Sequence, residues 1–394
     1  MKVDQGETDA GGGPAARAAT ALRPRRTFAT MGQSTGFRNV VLIGMLGLYA
    51  ALQAYGPERI LGTQLNDTRT IEELSFRTDE VGFFESYATT AMAYGLFPDP
   101  IRNFIVYTIA AIFFTTVLWK CRGLAHSAFG AFLLLSPLYM FLAIFNKETL
   151  LVPFLLAAYA AVMLLNRDRW RAFWVAVIYG AYALFFRNYY LLITCAFLFL
   201  LALRNMTTGQ RIGSIVFVLI AMAFLPRGVY EELNFARDVV NYYRVGYSDA
   251  GFRTAFFNYT DRADVIGFFL NYGYAFARLN LPLLFDGGIK ELFLMVNVAA
   301  YALLIGVDLK FGTPRSRAAT LLFVSHLAVL IIFEPDLGSY MRHSSVPLIF
   351  LAPALGTLRE VFAAQPWRRH RPQRPGHRPL AQPLRVRDFA GRLN

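Results

Sequence analysis

Apolar residues in this chain come in blocks, not at the 3.6-residue period of an amphipathic helix or the two-residue period of a half-buried strand. Ten blocks run approximately over 39–56, 103–119, 124–145, 149–165, 172–186, 189–203, 212–226, 291–307, 318–333 and 344–358. In lipid every backbone N–H and C=O must bond within the protein, so such blocks predict helices that cross a membrane. A transmembrane barrel would alternate apolar and polar residues over segments of about ten, and that pattern is absent. Several blocks fall short of the ~20 residues a full span uses. The two that meet around Phe186 and Tyr189 are separated only by Arg187-Asn188. They predict one bent hairpin with a tight external tip, or a re-entrant pair. The expected fold is all-α: a polytopic transmembrane helical bundle of about ten spans, with two large external loops containing interfacial helices.

Composition supports the same solvent. The 394 residues are 56% hydrophobic and 16% charged, with mean hydropathy +0.40, whereas soluble domains carry about 25% charged residues. The first 37 residues are polar and rich in Ala, Gly and Arg, including Gly11-Gly12-Gly13. They are expected to form a disordered basic cytoplasmic arm. No cleavable signal is expected, because the first apolar stretch begins only near Val40. Residues 38–360 form the expected transmembrane domain, and 361–394 an Arg/Pro-rich disordered tail. That tail holds Arg368, Arg369, Arg371, Arg374, Arg378, Arg385, Arg387 and Arg392 against Asp388 alone. Anionic head groups and cytoplasmic retention account for it, so membrane lipids and not nucleic acid are the expected partner. Cys121 and Cys195 have no CxxC partner, so neither a disulfide framework nor a metal site is expected.

Charge in the connections sets the topology. With the N-terminus inside, the inner connections hold Lys120 and Arg122; Arg167, Arg169 and Arg171; Arg204 and Arg211; and Lys310, Arg315 and Arg317. Short basic inner loops are the positive-inside pattern, which predicts a bacterial inner-membrane protein with both termini cytoplasmic. The two long outer connections cover about 57–102 and 227–290. The first is acid-rich, and the second contains the apolar patches Val265–Leu270 and Leu279–Phe285, suited to interfacial helices.

Strong cations nonetheless recur in very short outer turns. Lys147 and Glu148 follow Asn146; Arg187 precedes Asn188, Tyr189 and Tyr190; Glu334, Asp336, Tyr340, Arg342 and His343 lie before the last block. One such residue alone is an ordinary snorkelling anchor. Three separate turns on the face that topology rules deplete of cations suggest an anion site, and arginine suits phosphate because it can donate two parallel hydrogen bonds. Lys147, Arg187, Tyr190, Tyr340, Arg342 and His343 are the candidate substrate-binding residues. Asp79 and Glu80, with Glu148 behind them, are the candidate general bases for a sugar hydroxyl. The competing reading of the Asp79-Glu80 segment is an interfacial helix with a solvated acidic face. No GxGxxG, Walker, HExxH or GxSxG motif occurs in a convincing context, and no cofactor or metal is expected.

The chain resembles bacterial cell-surface polysaccharide polymerases of the O-antigen and exopolysaccharide type. The resemblance covers about 38–360 and rests on the spans, the two outer loops, Asn146-Lys147-Glu148, Arg187-Asn188-Tyr189-Tyr190 and Gly338-Ser339-Tyr340-Met341-Arg342-His343. One large loop follows the first span directly, whereas many members of that family carry both in the later half. The resemblance implies a glycosyltransferase that moves a glycan from undecaprenyl pyrophosphate to a new undecaprenyl-pyrophosphate-linked oligosaccharide, working beside a flippase and a chain-length regulator. A membrane glycosyltransferase using a polyprenyl-phosphate sugar fits nearly as well, since that class carries an essential acid early in its first outer loop. A lipid-linked oligosaccharide transporter is the third reading; it would require internal repeats and mid-span polar groups.

Overall fold

A computed structural model of the protein describes residues 28–55, 66–75, 86–247 and 254–364. Among the described residues the regular structure is helical, without a strand. The helices are α1 (Phe28–Tyr55), α2 (Asn66–Ser75), α3 (Ser86–Gly95), α4 (Asp99–Leu118), α5 (Leu124–Pro137), α6 (Lys147–Leu164), α7 (Asp168–Phe185) and α8 (Tyr190–Arg204). They continue with α9 (Thr208–Ala223), α10 (Arg227–Tyr247), α11 (Val265–Asn280), α12 (Ile289–Phe311), α13 (Pro314–Phe333), α14 (Leu337–Ser345) and α15 (Ala352–Ala364).

Seven helical segments among the described residues are long and apolar enough to cross a membrane: Thr35–Tyr55, Asp99–Leu118, Leu124–Leu142, Lys147–Leu164, Ile289–Phe311, Pro314–Phe333 and Leu337–Phe362. The other expected spans take different forms. The 172–186 block lies in α7, whose first turn carries Asp168, Arg169 and Arg171. The 189–203 block is α8, a 15-residue helix. The 212–226 block is α9, which passes the same test only together with α10 across a 93° bend. None of the residues of α9 is buried.

Local sequence explains where the helices start and stop. Asn146 caps α6 by accepting from the Thr149 N–H at 2.8 Å, and Asp336 caps α14 by accepting from the Ser339 N–H at 2.9 Å. Thr207 and Gln210 form a capping box at the start of α9. Pro335 stands between α13 and α14, where its missing N–H ends one helix before the next begins. α5 runs into a π-helical turn over Leu138–Leu142, and a 3-10 segment, Val346–Leu351, joins α14 to α15. Both irregular segments lie in the interior, where neighbouring helices can satisfy displaced backbone groups.

The broken last span is the most enclosed: 72% of the apolar 18-residue window within Leu337–Phe362 is buried, against 11% of that within Thr35–Tyr55. α14 and α15 therefore form the centre of the bundle, and α1 its exposed apolar edge. α8 packs on α7 and α13, and α6 lies against α7, α13 and the 3-10 segment. Phe113, Phe141, Phe197, Phe323 and Phe350 fill the interior with almost no exposure. Between lipid-embedded helices such contacts contribute through close packing, since lipid tails are as apolar as leucine.

The outer connections are more structured than loops. α4 begins at Asp99, inside the first of them, and α10 is a 21-residue helix inside the second. Val265–Leu270 falls within α11, while Leu279–Phe285 divides between its end and the 3-10 turn Pro282–Leu284. α1 begins at Phe28, within the 1–37 segment expected to be disordered.

Candidate functional site

The turns that begin α6, join α7 to α8, and join α13 to α14 meet at one end of the bundle. Glu148 is at their centre, its side chain fully enclosed. Arg187 Nη2 donates to Glu148 Oε1 at 2.9 Å. His343 Nε2 lies 3.0 Å from the same oxygen, and Arg342 Nε lies 4.0 Å from it. The other ring nitrogen, His343 Nδ1, is 2.5 Å from Glu334 Oε1. Arg187 Nη1 donates to the Tyr189 hydroxyl at 2.8 Å and lies 3.2 Å from His343 Nε2. Residues 148, 187, 334, 342 and 343 therefore form one connected set drawn from three distant parts of the chain.

Charge and burial give this set its character. Two carboxylates face the cations Arg187 and Arg342 and the imidazole of His343, and Lys147 stands beside them. Glu148 has one oxygen committed and one open: its Oε2 is buried without a hydrogen-bond partner among the described residues. A buried, unsatisfied carboxylate oxygen costs on the order of 1–3 kcal/mol, or more when charged, so the arrangement suits a donor that arrives with a ligand. Burial acts to raise the Glu334 carboxyl, but the pairing with His343, a hydrogen bond from Ser339 and the charge of Arg187 outweigh it and hold Glu334 below the usual carboxylate range. Burial pushes the Tyr189 phenol up to about 12, so at neutral pH it is a hydrogen-bonding group and not a base.

Both outer segments are fastened to this end. Lys147 Nζ donates to the Tyr87 hydroxyl of α3 at 2.7 Å and sits 3.9 Å from the centre of that ring. Thr89 Oγ1 donates to the Phe185 carbonyl at 2.8 Å, two residues before Arg187. From the second segment, the buried Arg237 of α10 donates to the carbonyls of Ile331, Ile332 and Glu334, and to Asn258 Oδ1. Those carbonyls are in the last turn of α13 and just beyond it, where a cation also complements the helix dipole. Asn241 Nδ2 donates to the Phe256 and Pro335 carbonyls, and the Phe256 N–H donates to Pro335. The turn carrying Glu334 is thus held from outside as well as from within the bundle.

The residues singled out in the sequence divide into three groups. Glu148, Arg187, Arg342 and His343 come together, with Lys147 adjacent and directed at Tyr87. Tyr190 and Tyr340 are placed elsewhere. Tyr190 is buried among the rings of Tyr179, Tyr182 and Tyr189, and the Tyr340 hydroxyl donates to Asn280 Oδ1 at 2.9 Å within a separate apolar cluster. Asp79 and Glu80 lie outside the described residues.

Three buried features were not singled out. Glu334 was seen among the charges, but its pairing with His343 depends on the Pro335-Asp336 turn. In mid-bundle the Tyr179 hydroxyl and His326 Nε2 are 2.7 Å apart. At the opposite end Asp308 accepts from Thr320 Oγ1 at 2.7 Å, Thr357 Oγ1 at 2.8 Å and Ser316 Oγ. An ionisable residue within a spanning helix is the signal that finds Asp308, but the apolar block was closed at 307, one residue short of it.

The described residues contain no group of three or more His, Cys, Asp or Glu able to hold a metal ion. A cavity of about 250 Å³ opens elsewhere, among Glu231, Glu232, Asn234, Asp238, Asn258 and Asp261. Its carboxylates disfavour an anion, so it is distinct in character from the Glu148 site. A scan against protein-family models found no match, and searches of curated proteins and of solved structures found none.

Proposed function

We propose that this chain is a membrane glycan polymerase, which joins lipid-linked oligosaccharide repeat units during cell-surface polysaccharide biosynthesis at the outer face of a bacterial inner membrane. One observation carries the reading: Arg187, Arg342 and His343 converge on buried glutamates at the end of the bundle where both outer segments dock. A pyrophosphate leaving group is a weak base that needs no protonation. It needs preorganised cations where negative charge develops, in a site shielded from water. Arg187 and Arg342, with Lys147 beside them, fill that role. The open Oε2 of Glu148 accepts the proton of the attacking sugar hydroxyl. A lipid carrier explains why the site belongs at the head-group level.

The same reading gives the topology. The basic connections containing Arg204, Arg315 and Arg317 lie at the opposite end, where Arg204 reaches the Pro314 carbonyl and Arg315 reaches Asn166. By the positive-inside rule that end is cytoplasmic, with both termini. Ten crossings follow if α7, α8 and the bent α9–α10 pair supply the spans beyond the seven long ones.

The test is chain length in cells. Arg187→Ala and Arg342→Ala should leave single repeat units on undecaprenyl pyrophosphate while the protein still inserts. Unchanged polymer in both variants rejects the reading. A second reading, transfer of one sugar from a polyprenyl-phosphate donor, is favoured by the docking of the first outer segment on Lys147 through Tyr87. For that enzyme, Asp79→Asn or Glu80→Gln would give a glycan lacking one sugar, with polymer length kept.

A further inference from the structure

The two sides of the His343 ring face different carboxylates, and only one of these contacts can be served by either proton arrangement. Nδ1 lies 2.5 Å from Glu334 Oε1, a buried oxygen that can only accept while ionised. With Glu334 ionised, the shared proton sits on Nδ1. Nε2 then meets two neighbours of opposite demand: Arg187 Nη1, a donor at 3.2 Å, and Glu148 Oε1, an acceptor at 3.0 Å. With its lone pair free, Nε2 accepts from Arg187; with a proton, it donates to Glu148. Among the described residues these are the ring's hydrogen-bonding neighbours, so both states are built into one geometry. Glu148 in turn has one oxygen on this ring and the other, Oε2, open.

We infer that Glu334 is a positioning residue, which by holding the proton on His343 Nδ1 leaves Nε2 to take up the proton that Glu148 removes from the acceptor hydroxyl. This rests on the polymerase reading above. In the transfer, the hydroxyl oxygen forms a bond to the anomeric carbon of the donor. The bond from that carbon to the pyrophosphate oxygen breaks, and its electron pair leaves with the pyrophosphate. The hydroxyl proton passes to Glu148 Oε2, and a half-turn of the carboxyl, which exchanges its two oxygens, presents that proton to Nε2 and restores the carboxylate. An imidazole fixed in one tautomer by a carboxylate is the general device for such a step. Two features hold Glu334 in place for it: Arg237 on its backbone carbonyl and Pro335-Asp336 immediately after it.

Other charged groups surround the ring: Lys147 and Glu148 from α6, Arg187 and Tyr189 from the α7–α8 turn, Glu334 from the end of α13, and Arg342 on α14 itself. Elements packed against α14 also carry His126, Tyr139, Lys290, Glu291, Tyr301, Asp308, Lys310, Arg315, Arg317 and His326. A test by rate alone would not separate these, so the readout is the tautomer of one ring.

The full chain, labelled with 15N-histidine and held in lipid nanodiscs, has five histidines; His343→Asn assigns the signal. In the unmodified protein the neutral ring should carry its proton on Nδ1. In Glu334→Ala the proton should move to Nε2, and kcat should fall about 100-fold, the scale of one lost acid–base partner, with KM unchanged. Glu334→Gln, whose amide oxygen still accepts, should keep the Nδ1 proton and lose less. A wild-type ring protonated on Nε2, or a Glu334→Ala ring that keeps its Nδ1 proton, overturns the inference. The first of these needs only the assignment variant and no change at Glu334. Failure of the polymerase reading is seen separately, as wild-type protein that does not retain undecaprenyl pyrophosphate.

Discussion

Glu148 and Asp308 are both carboxylates with essentially no exposure, near opposite ends of the same bundle, and their surroundings differ in kind. Asp308 is held by three hydroxyls, from Ser316 and Thr320 on α13 and Thr357 on α15, which between them occupy both carboxylate oxygens. Glu148 is held by Arg187 and His343, with Arg342 near, and one of its oxygens is unserved. A fully satisfied polar group fastens helices together. A charged group that is half satisfied has capacity left for a further donor. Burial alone would not have separated the two ends.

The contrast can be broken by substitution. The largest effect belongs to Arg187→Ala, which leaves the enclosed Glu148 without its closest cation. Removing one partner of a buried pair costs about 3–5 kcal/mol, so thermal unfolding in detergent should shift strongly, and Arg187→Lys should recover part of it. An unfolding curve identical to wild type would mean that the Glu148 end is hydrated and ordinary.

Asp308→Ala leaves hydroxyls without their acceptor and should cost roughly 1–3 kcal/mol of stability. Polymer length should not change. If polymerisation stops while unfolding is unaltered, Asp308 belongs to the chemistry and the distinction between the ends is lost. Thr357→Val removes one hydrogen bond from the same group and should cost about 1 kcal/mol, read by the same unfolding measurement.

The smallest effect is on acid tolerance. Glu334 is held below its usual carboxylate value in the folded protein, so its contribution is complete above the ordinary value of 4.5. It is lost as pH falls through the lower folded value. Unfolding midpoints should therefore decline below about 4.5 in wild type, and this part of the decline should be absent in Glu334→Gln. An equal decline in both removes Glu334 from the account.

Much of the site was visible in the linear chain because charge among apolar blocks is conspicuous. Lys147, Glu148, Arg187, Arg342 and His343 all sit in short turns between such blocks, and each stood out for that reason. Tyr190 and Tyr340 stood out equally, yet one is enclosed by other rings and the other spends its hydroxyl on Asn280. A tyrosine at a helix end serves packing, interface or ligand with the same local sequence. The span count was legible only in part. Among the described residues seven helices are long and apolar enough to cross, but α8 is short and α9 is bent against α10, and block boundaries cannot register a 93° turn.

The linear order of residues determined a helical bundle with helices long and apolar enough to cross a membrane, because apolar blocks in lipid have no other way to satisfy their backbone. It also determined which turns carry charge and where the helices begin, since caps such as Asn146, Thr207 and Asp336 act within a few residues of themselves. Only the folded arrangement decided that Glu148, Arg187 and His343 share one set of contacts, that Glu334 completes it, and that Asp308 is closed off by hydroxyls. Those pairings join residues up to 195 positions apart. Their distances follow from helix packing across the whole bundle and not from any local pattern.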